Sequence, residues 1–198
     1  MRLSYFDLIR SGTIILITWI FPLVLFAQKK YEKESDLSLK DVPAKAILFF
    51  DTAPISGEID WYYEENLLGN SIEAKFYHRE QKYSIEFDVN GELQDIEVEC
   101  GLGDVDIILL TNMTESLSKE FMKSNIIRVQ QQYRGTILSF LDFLNEPDKS
   151  HVYQLKYETE VKAKKKKRSK LYEVLFGQEG KIERIDEVIF RNNDYLEF

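Results

Sequence analysis

Hydrophobic positions change period several times along this chain, and each change marks an element. Val42, Ala46, Phe49 and Phe50 recur at i, i+4, i+7 and i+8, the spacing of one helical stripe. Asp41 stands where an N-cap belongs, and Pro43 in the first turn, where a missing N–H does no harm. Pro54 and Gly57 end that helix. The period then falls to two: Ile59, Trp61 and Tyr63 alternate with Asp60, Tyr62 and Glu64, and Ile72, Ala74 and Phe76 with Glu73, Lys75 and Tyr77. Tyr83, Ile85 and Phe87 alternate with Ser84 and Glu86. "HREQK" predicts a hairpin tip, Asn90-Gly91 the turn of a two-residue hairpin, and "ELQDIEVE" a fourth strand. The sum is a helix followed by a four-stranded antiparallel meander.

The same order is predicted a second time. Ser118 is a candidate N-cap, and Met122, Ile126, Val129 and Tyr133 fall at i, i+4, i+7 and i+11, ended by Arg134-Gly135. Strand-like runs begin at Ile137 ("ILSFLDFL") and Val152 ("VYQLKYE"). An offset of 80 sets Val42 on Met122 and Trp61 on Leu141; beyond the hairpin tip an offset of 89 sets Tyr83 on Tyr172, Phe87 on Phe176, Gly91 on Gly180 and Ile96 on Ile185. The single jump falls at "VKAKKKKRSK", which predicts a lengthened hairpin tip, because an exposed tip accepts extra residues at little cost. The domain plan is a polar tail at 28–38, a first copy at 39–100, a linker at 101–116 and a second copy at 117–198.

"YSIEFDVNGEL" and "YEVLFGQEGKI" share the pattern Y-x-[IV]-x-F-x-x-x-G-x-[LI]. With a helix opened by Val-Pro, this resembles the PepSY-like group, which is similar in fold to the beta-lactamase inhibitory protein. The resemblance spans roughly residues 39 to 190, and "LFAQ" near residue 27 resembles exported proteins of the Bacteroidetes. It implies an α+β fold of two tandem helix-plus-meander repeats, sheets side by side, with helices on one face. Members of such groups are mostly binders or inhibitors, or are uncharacterised. No site residue transfers, because the matched positions belong to core and turns.

Charge and composition narrow the class. Gly12–Ala27 carries no charge and follows Arg2 and Arg10, the build of a cleaved secretory signal at 1–27, with an uncleaved N-terminal anchor as the alternative. Without it the chain holds 24 basic and 33 acidic residues, which argues against nucleic acid as the partner. Cys100 is the sole cysteine, so the fold relies on its core, and the acidic flank of Cys100 disfavours a reactive thiolate. Residues 41–110 hold 4 basic and 16 acidic groups, residues 111–198 hold 16 and 14. Much of the acid, including Glu64, Glu73, Glu86, Glu97 and Glu99, falls at strand positions facing away from the apolar side.

Candidate binding residues follow. Lys162, Lys164, Lys165, Lys166, Lys167, Arg168 and Lys170 place seven cations in nine residues, a cluster that attracts polyanions or otherwise solvates a tip. Tyr62, Tyr77, Tyr153 and Tyr157 have the parity of exposed interface aromatics or an ambiguous one. "GLGDVD" lacks the later ligands of a calcium loop, and His78 and His151 have no metal-ligand spacing. No cofactor, metal or catalytic constellation is read, though carboxylates such as Glu64 and Glu73 could pair across strands.

The expectation is an exported, periplasmic or secreted, non-enzymatic binding module, of inhibitor type, with a protein partner in the cell envelope and no membrane span after signal cleavage. It would use an open sheet and hairpin tips. The alternative is an envelope protein that binds anionic lipid or polysaccharide through the hairpin at 162–170.

Overall fold

The structure is a computed structural model and describes residues 28–30, 32–66, 69–146 and 153–189. The signal segment and His151 lie outside them. Strands β1 (Gln28–Lys30) and β2 (Glu32–Asp36) precede helix α1 (Ala44–Thr52). Then come β3 (Asp60–Asn66), β4 (Ser71–His78), β5 (Gln81–Asp88) and β6 (Leu93–Cys100). Helix α2 (Ile107–Glu120), β7 (Lys123–Gly135), α3 (Ile137–Asn145), β8 (Tyr153–Lys164), β9 (Ser169–Phe176) and β10 (Ile182–Val188) complete the α+β fold.

The nine strands β2 to β10 form one continuous antiparallel sheet, with β1 added in parallel beside β10. Two sheets side by side are therefore one: β6 and β7 pair from Ile96↔Tyr133 to Cys100↔Val129 and weld the halves. The expected polar tail at 28–38 is drawn into this sheet. Residues 28–30 pair with 186–188 at one edge, and 32–36 pair with 62–66 at the other. Two residues reach about 7 Å, whereas β3 and β10 in a flat sheet would stand about 34 Å apart, at about 4.8 Å per strand. The sheet must curl until both edges meet this segment, in the manner of a barrel wall.

All three helices cover one face. The first core gathers Ala46 and Phe49 of α1, Phe140, Phe143 and Leu144 of α3, and Trp61, Ile72, Phe76, Ile85, Phe87 and Ile96 of the strands. The second gathers Leu109, Met113 and Leu117 of α2 with Val161, Tyr172, Val174, Phe176 and Ile185. Tyr133 belongs to the first and Val129 to the second; four residues apart on β7, they share a face. Phe87 is 1% exposed and meets Phe49 edge-on at 5.9 Å. Burying such a ring contributes roughly 1.5–3 kcal/mol.

The two glycines of the twin phrases hold these helices close. Gly91 (φ 80°) and Gly180 (φ 77°) both adopt left-handed backbone in their hairpin turns. A Cβ on Gly91 would lie 2.8 Å from Pro43 Cβ, and one on Gly180 2.8 Å from Asn112 Cβ and 2.9 Å from Met113 N. Lys45 pairs with Glu92 beside the first turn, and Ser116 Oγ donates to Gly180 O at 2.9 Å beside the second. Only glycine combines this φ with backbone contact.

Four expectations change. Asp41 lies in a 3-10 turn at Leu39–Asp41, and Pro43 takes the N-cap position. The linker at 101–116 contains most of α2, capped by Asp106 Oδ1, which accepts from Ile108 N at 2.9 Å and Leu109 N at 3.1 Å. The helix expected after Ser118 is the 13-residue strand β7. Its register shifts between Ile126 and Arg128. That bulge lets Ile126 and Val129, three apart, share a face, so a strand imitates a helical stripe. The strand expected at Ile137 is α3, where Thr136 and Ser139 form a reciprocal capping box: Thr136 N donates to Ser139 Oγ at 2.8 Å, and Ser139 N to Thr136 Oγ1 at 3.2 Å. A short apolar run suits either state, and the cap decides it.

Candidate binding face

Curling turns the helix-free face into a concavity of about 890 Å³. Polar side chains of alternate residues on β2 to β10 point into it, because the apolar alternates serve the cores. Its lining holds eleven carboxylates and four cations, Lys75, Arg128, Arg134 and Arg184. Curvature buries several of these: Asp95 is 1% exposed, Gln132 4%, Asp186 5% and Glu173 8%.

Each cation serves more than one acid or bonds one acid twice. Lys75 Nζ lies 2.6 Å from Glu34 and 2.9 Å from Glu73. Arg134 donates Nε and Nη2 to Asp95 Oδ2 at 3.1 and 3.0 Å. Arg128 spans Glu99 and Glu160, both at 3.2 Å. Arg184 reaches Asp186 at 2.6 Å, Glu173 at 3.1 Å and Glu158 at 3.5 Å. In the floor, Gln130 Nε2 and Gln132 Nε2 both donate to the Glu97 carboxylate, at 2.8 and 3.2 Å. The face is an acceptor-rich network of ion pairs and hydrogen bonds.

Glu64 and Glu73 do come together, joined by Glu34; one carboxylate oxygen of each lies within 4.8 Å of the others. The Lys75 ammonium bonds two of the three, so an ion-pair network explains the cluster. Burial pushes the Glu73 carboxyl up, but Lys75 and hydrogen bonds from Lys75 and Ser84 outweigh it and hold the group below its ordinary value. Glu73 is thus an anion rather than a proton donor.

The residues named from sequence separate. Tyr62 lies on the helix-free face with Lys75 Nζ 4.7 Å from its ring centre. Tyr77, 68% exposed, lines with Tyr62 a shallower groove near Asp60 and Lys82. Tyr157 is buried in the second core and so is no interface residue. Tyr153 stands edge-on to Tyr133 at 4.8 Å in the first core. The basic run does sit on the β8–β9 tip, at 162–170. Lys162, Lys166, Lys167 and Arg168 are exposed and Lys164 is half-buried. Lys165 Nζ stands 5.0 Å from the Phe121 ring centre, and Lys170 pairs with Glu187 at 2.5 Å.

Three other candidates resolve into structural roles. In "GLGDVD", Asp104 accepts from Gly101 N at 3.0 Å, and Asp106 caps α2. His78 Nε2 meets Leu144 O at 3.2 Å. Burial, then Asp104 and Glu99, raises the half-buried Cys100 thiol. Sequence reading found the acidic half of the concave face through its strand alternation. It missed Gln130, Gln132 and Arg134, because that stretch read as a helix.

No family model matches the chain, and no curated protein matches it. Solved structures do. A DUF2874 family protein from Bacteroides ovatus is similar at 11% identity and TM-score 0.49, over 73% of this chain and 86% of its own. A protein provisionally assigned to the periplasm, from Bacteroides eggerthii, is similar at 14% identity and TM-score 0.48, over 74% and 88%. No residue role passes from either. Among the described residues, no helix is long and apolar enough to cross a membrane.

Proposed function

We propose that this chain is an exported, non-enzymatic binding protein, built as two tandem copies of a helix-and-meander unit, that holds a protein of the cell envelope against its concave face. The observation that carries this reading is the concavity itself: a space of about 890 Å³ lined by polar side chains on a wall that helices α1, α2 and α3 leave clear. A rigid sheet presenting ordered donors and acceptors offers a pre-formed surface, so little ordering entropy opposes association. The like placement of Gly91 under α1 and Gly180 under α2 supports the duplicated unit.

The test is capture from the producing cell's envelope fraction by the immobilised chain. Retention by the parent, and by a tip variant with Lys166 and Lys167 changed to serine, is expected. Loss is expected when Glu86 and Glu173 are both changed to lysine. Capture indifferent to that reversal sinks the reading.

A second reading has its own support in the exposed cations Lys166, Lys167 and Arg168 at the β8–β9 turn. Co-sedimentation with anionic vesicles, abolished by the serine changes, is its signature; the parent chain left in the supernatant refutes it.

A further inference from the structure

We infer that the β8–β9 tip and the start of β7 form one docking end for an anionic lipid bilayer, with cations on the headgroups and Met122 in the interfacial hydrocarbon; this rests on the second reading above and deepens it. The evidence begins with charge balance. On the concave face Lys75, Arg128, Arg134 and Arg184 all have acidic partners. At the tip the pattern reverses. Lys170 pairs with Glu187, but Lys123, Lys162, Lys164, Lys166, Lys167 and Arg168 have no ion pair among the described residues. Lys123 and Lys164 stand directly opposite one another in the ladder between β7 and β8. Like charges so placed repel. The positive field at this end of the sheet is open to an anionic partner.

The tip is tied to the fold. Met122 N donates to Lys164 O at 2.9 Å, which joins the end of α2 to the end of β8. Lys165 turns inward, with its Nζ 5.0 Å from the Phe121 ring centre and 5.9 Å from that of Tyr172, at the second core. With Lys165 and Lys170 committed, Lys166, Lys167 and Arg168 are the exposed residues of the turn. These ties reduce the ordering entropy that docking would cost.

A second observation, independent of charge, separates a bilayer from a soluble polyanion. Met122 is 75% exposed, although it follows the buried Phe121 and lies beside Lys123 and the Lys164 backbone. A thioether side chain amid cations gains nothing from a sulfated or phosphorylated polymer. At a bilayer the headgroups take the cations, and the apolar side chain enters the boundary beneath them. Either signal alone attaches a protein weakly, and the two together attach it firmly. Nucleic acid fits less well. Phe121 and Tyr172, the aromatic side chains against Lys165, are buried and offer no ring for bases to stack on.

The experiment is flotation of the chain, purified after export by the producing cell, with vesicles of phosphatidylcholine alone or with about 30% phosphatidylglycerol added. Every variant keeps the parent's N-terminus. The parent should bind the anionic vesicles at least tenfold more tightly than the neutral ones. Changing Lys166, Lys167 and Arg168 to serine should abolish that preference. Met122→Ser should weaken binding to the anionic vesicles at least fivefold. It should leave the melting temperature and retention on dextran sulfate unchanged, because the side chain is exposed. Met122→Trp should shift its emission to shorter wavelength on the anionic vesicles and be quenched by brominated acyl chains. The inference is overturned if the parent binds both vesicles equally, if Met122→Ser floats as the parent does, or if Met122→Trp escapes quenching. If dextran sulfate retains the chain through the tip cations while the Met122 changes leave vesicle binding alone, this inference falls and the reading of an anion-binding tip stands. If the serine changes alter neither, both fall.

Discussion

The two faces of one sheet obey opposite rules. On the helix side, Phe87, Phe140 and Phe176 are at most 1% exposed and lie within the two apolar cores. On the concave side, Asp95 and Gln132 are almost as deeply buried, yet bonded to charged partners. Burial is therefore no guide to role in this molecule. The apolar face gains free energy from exclusion of water. The polar face must offset desolvation through ion pairs, which yields little net stability even when the geometry is good. One face stabilises the fold, and the other contributes little to it on balance.

The sharpest way to break this contrast is to damage the apolar side. Phe87→Ala removes a ring in contact with Phe49, Phe50 and Trp61 and should cost about 3–5 kcal/mol, read by urea denaturation. A cost below about 1 kcal/mol would mean that the first core is not the main support. Gly180→Ala should come next, at about 2–4 kcal/mol, since the left-handed backbone and the contact with α2 both resist a methyl. An unchanged melting temperature would refute that close packing.

On the polar side the effects shrink. Arg134→Ala withdraws the guanidinium from the buried Asp95 carboxylate and should cost about 1–3 kcal/mol; Arg134→Lys should recover part of it. The smallest effect is best seen as a pH profile. The Glu73 carboxyl is held below its ordinary value of 4.5, so it stabilises the fold above that pH. The contribution fades as pH falls through the lower, folded value. Glu73→Gln should flatten the acid limb of a stability-against-pH curve while leaving its shape near neutrality alike. An acid limb identical to the parent's would show that Glu73 is not held low.

How far the sequence could be read depended on whether period and propensity agreed. From α1 to β6 strict alternation left one interpretation, and the strands form as expected, but the two-residue turn lies at Arg79-Glu80 (φ 49° and 67°), whereas Asn90-Gly91 sits in a longer turn in which Gly91 N donates to Asp88 O and Asp88 N to Glu92 O. At 118–145 they disagreed. The bulge in β7 gave β-branched residues a helical spacing, and the apolar run of α3 hid a helix behind a strand-like composition. The capping signals Asp106 and Thr136 were present, but each stood in a stretch already assigned elsewhere. Tyr157 shows the same limit for a single residue: its parity became clear only once β8 paired with both β7 and β9.

By itself the sequence determined the twin hairpins, the glycines that end them, the acidic strand alternates and the exposed basic tip, because each depends on contacts within a few residues. It could not determine that the strands join in one wall, that residues 28–30 and 32–36 pair at opposite edges, or that Glu160, Glu173 and Asp186 line up in a row. Those features depend on register between distant strands, and a shift of one residue would send each of these side chains to the opposite face. Register is settled only when the cores pack, so the concave face exists only in the folded chain.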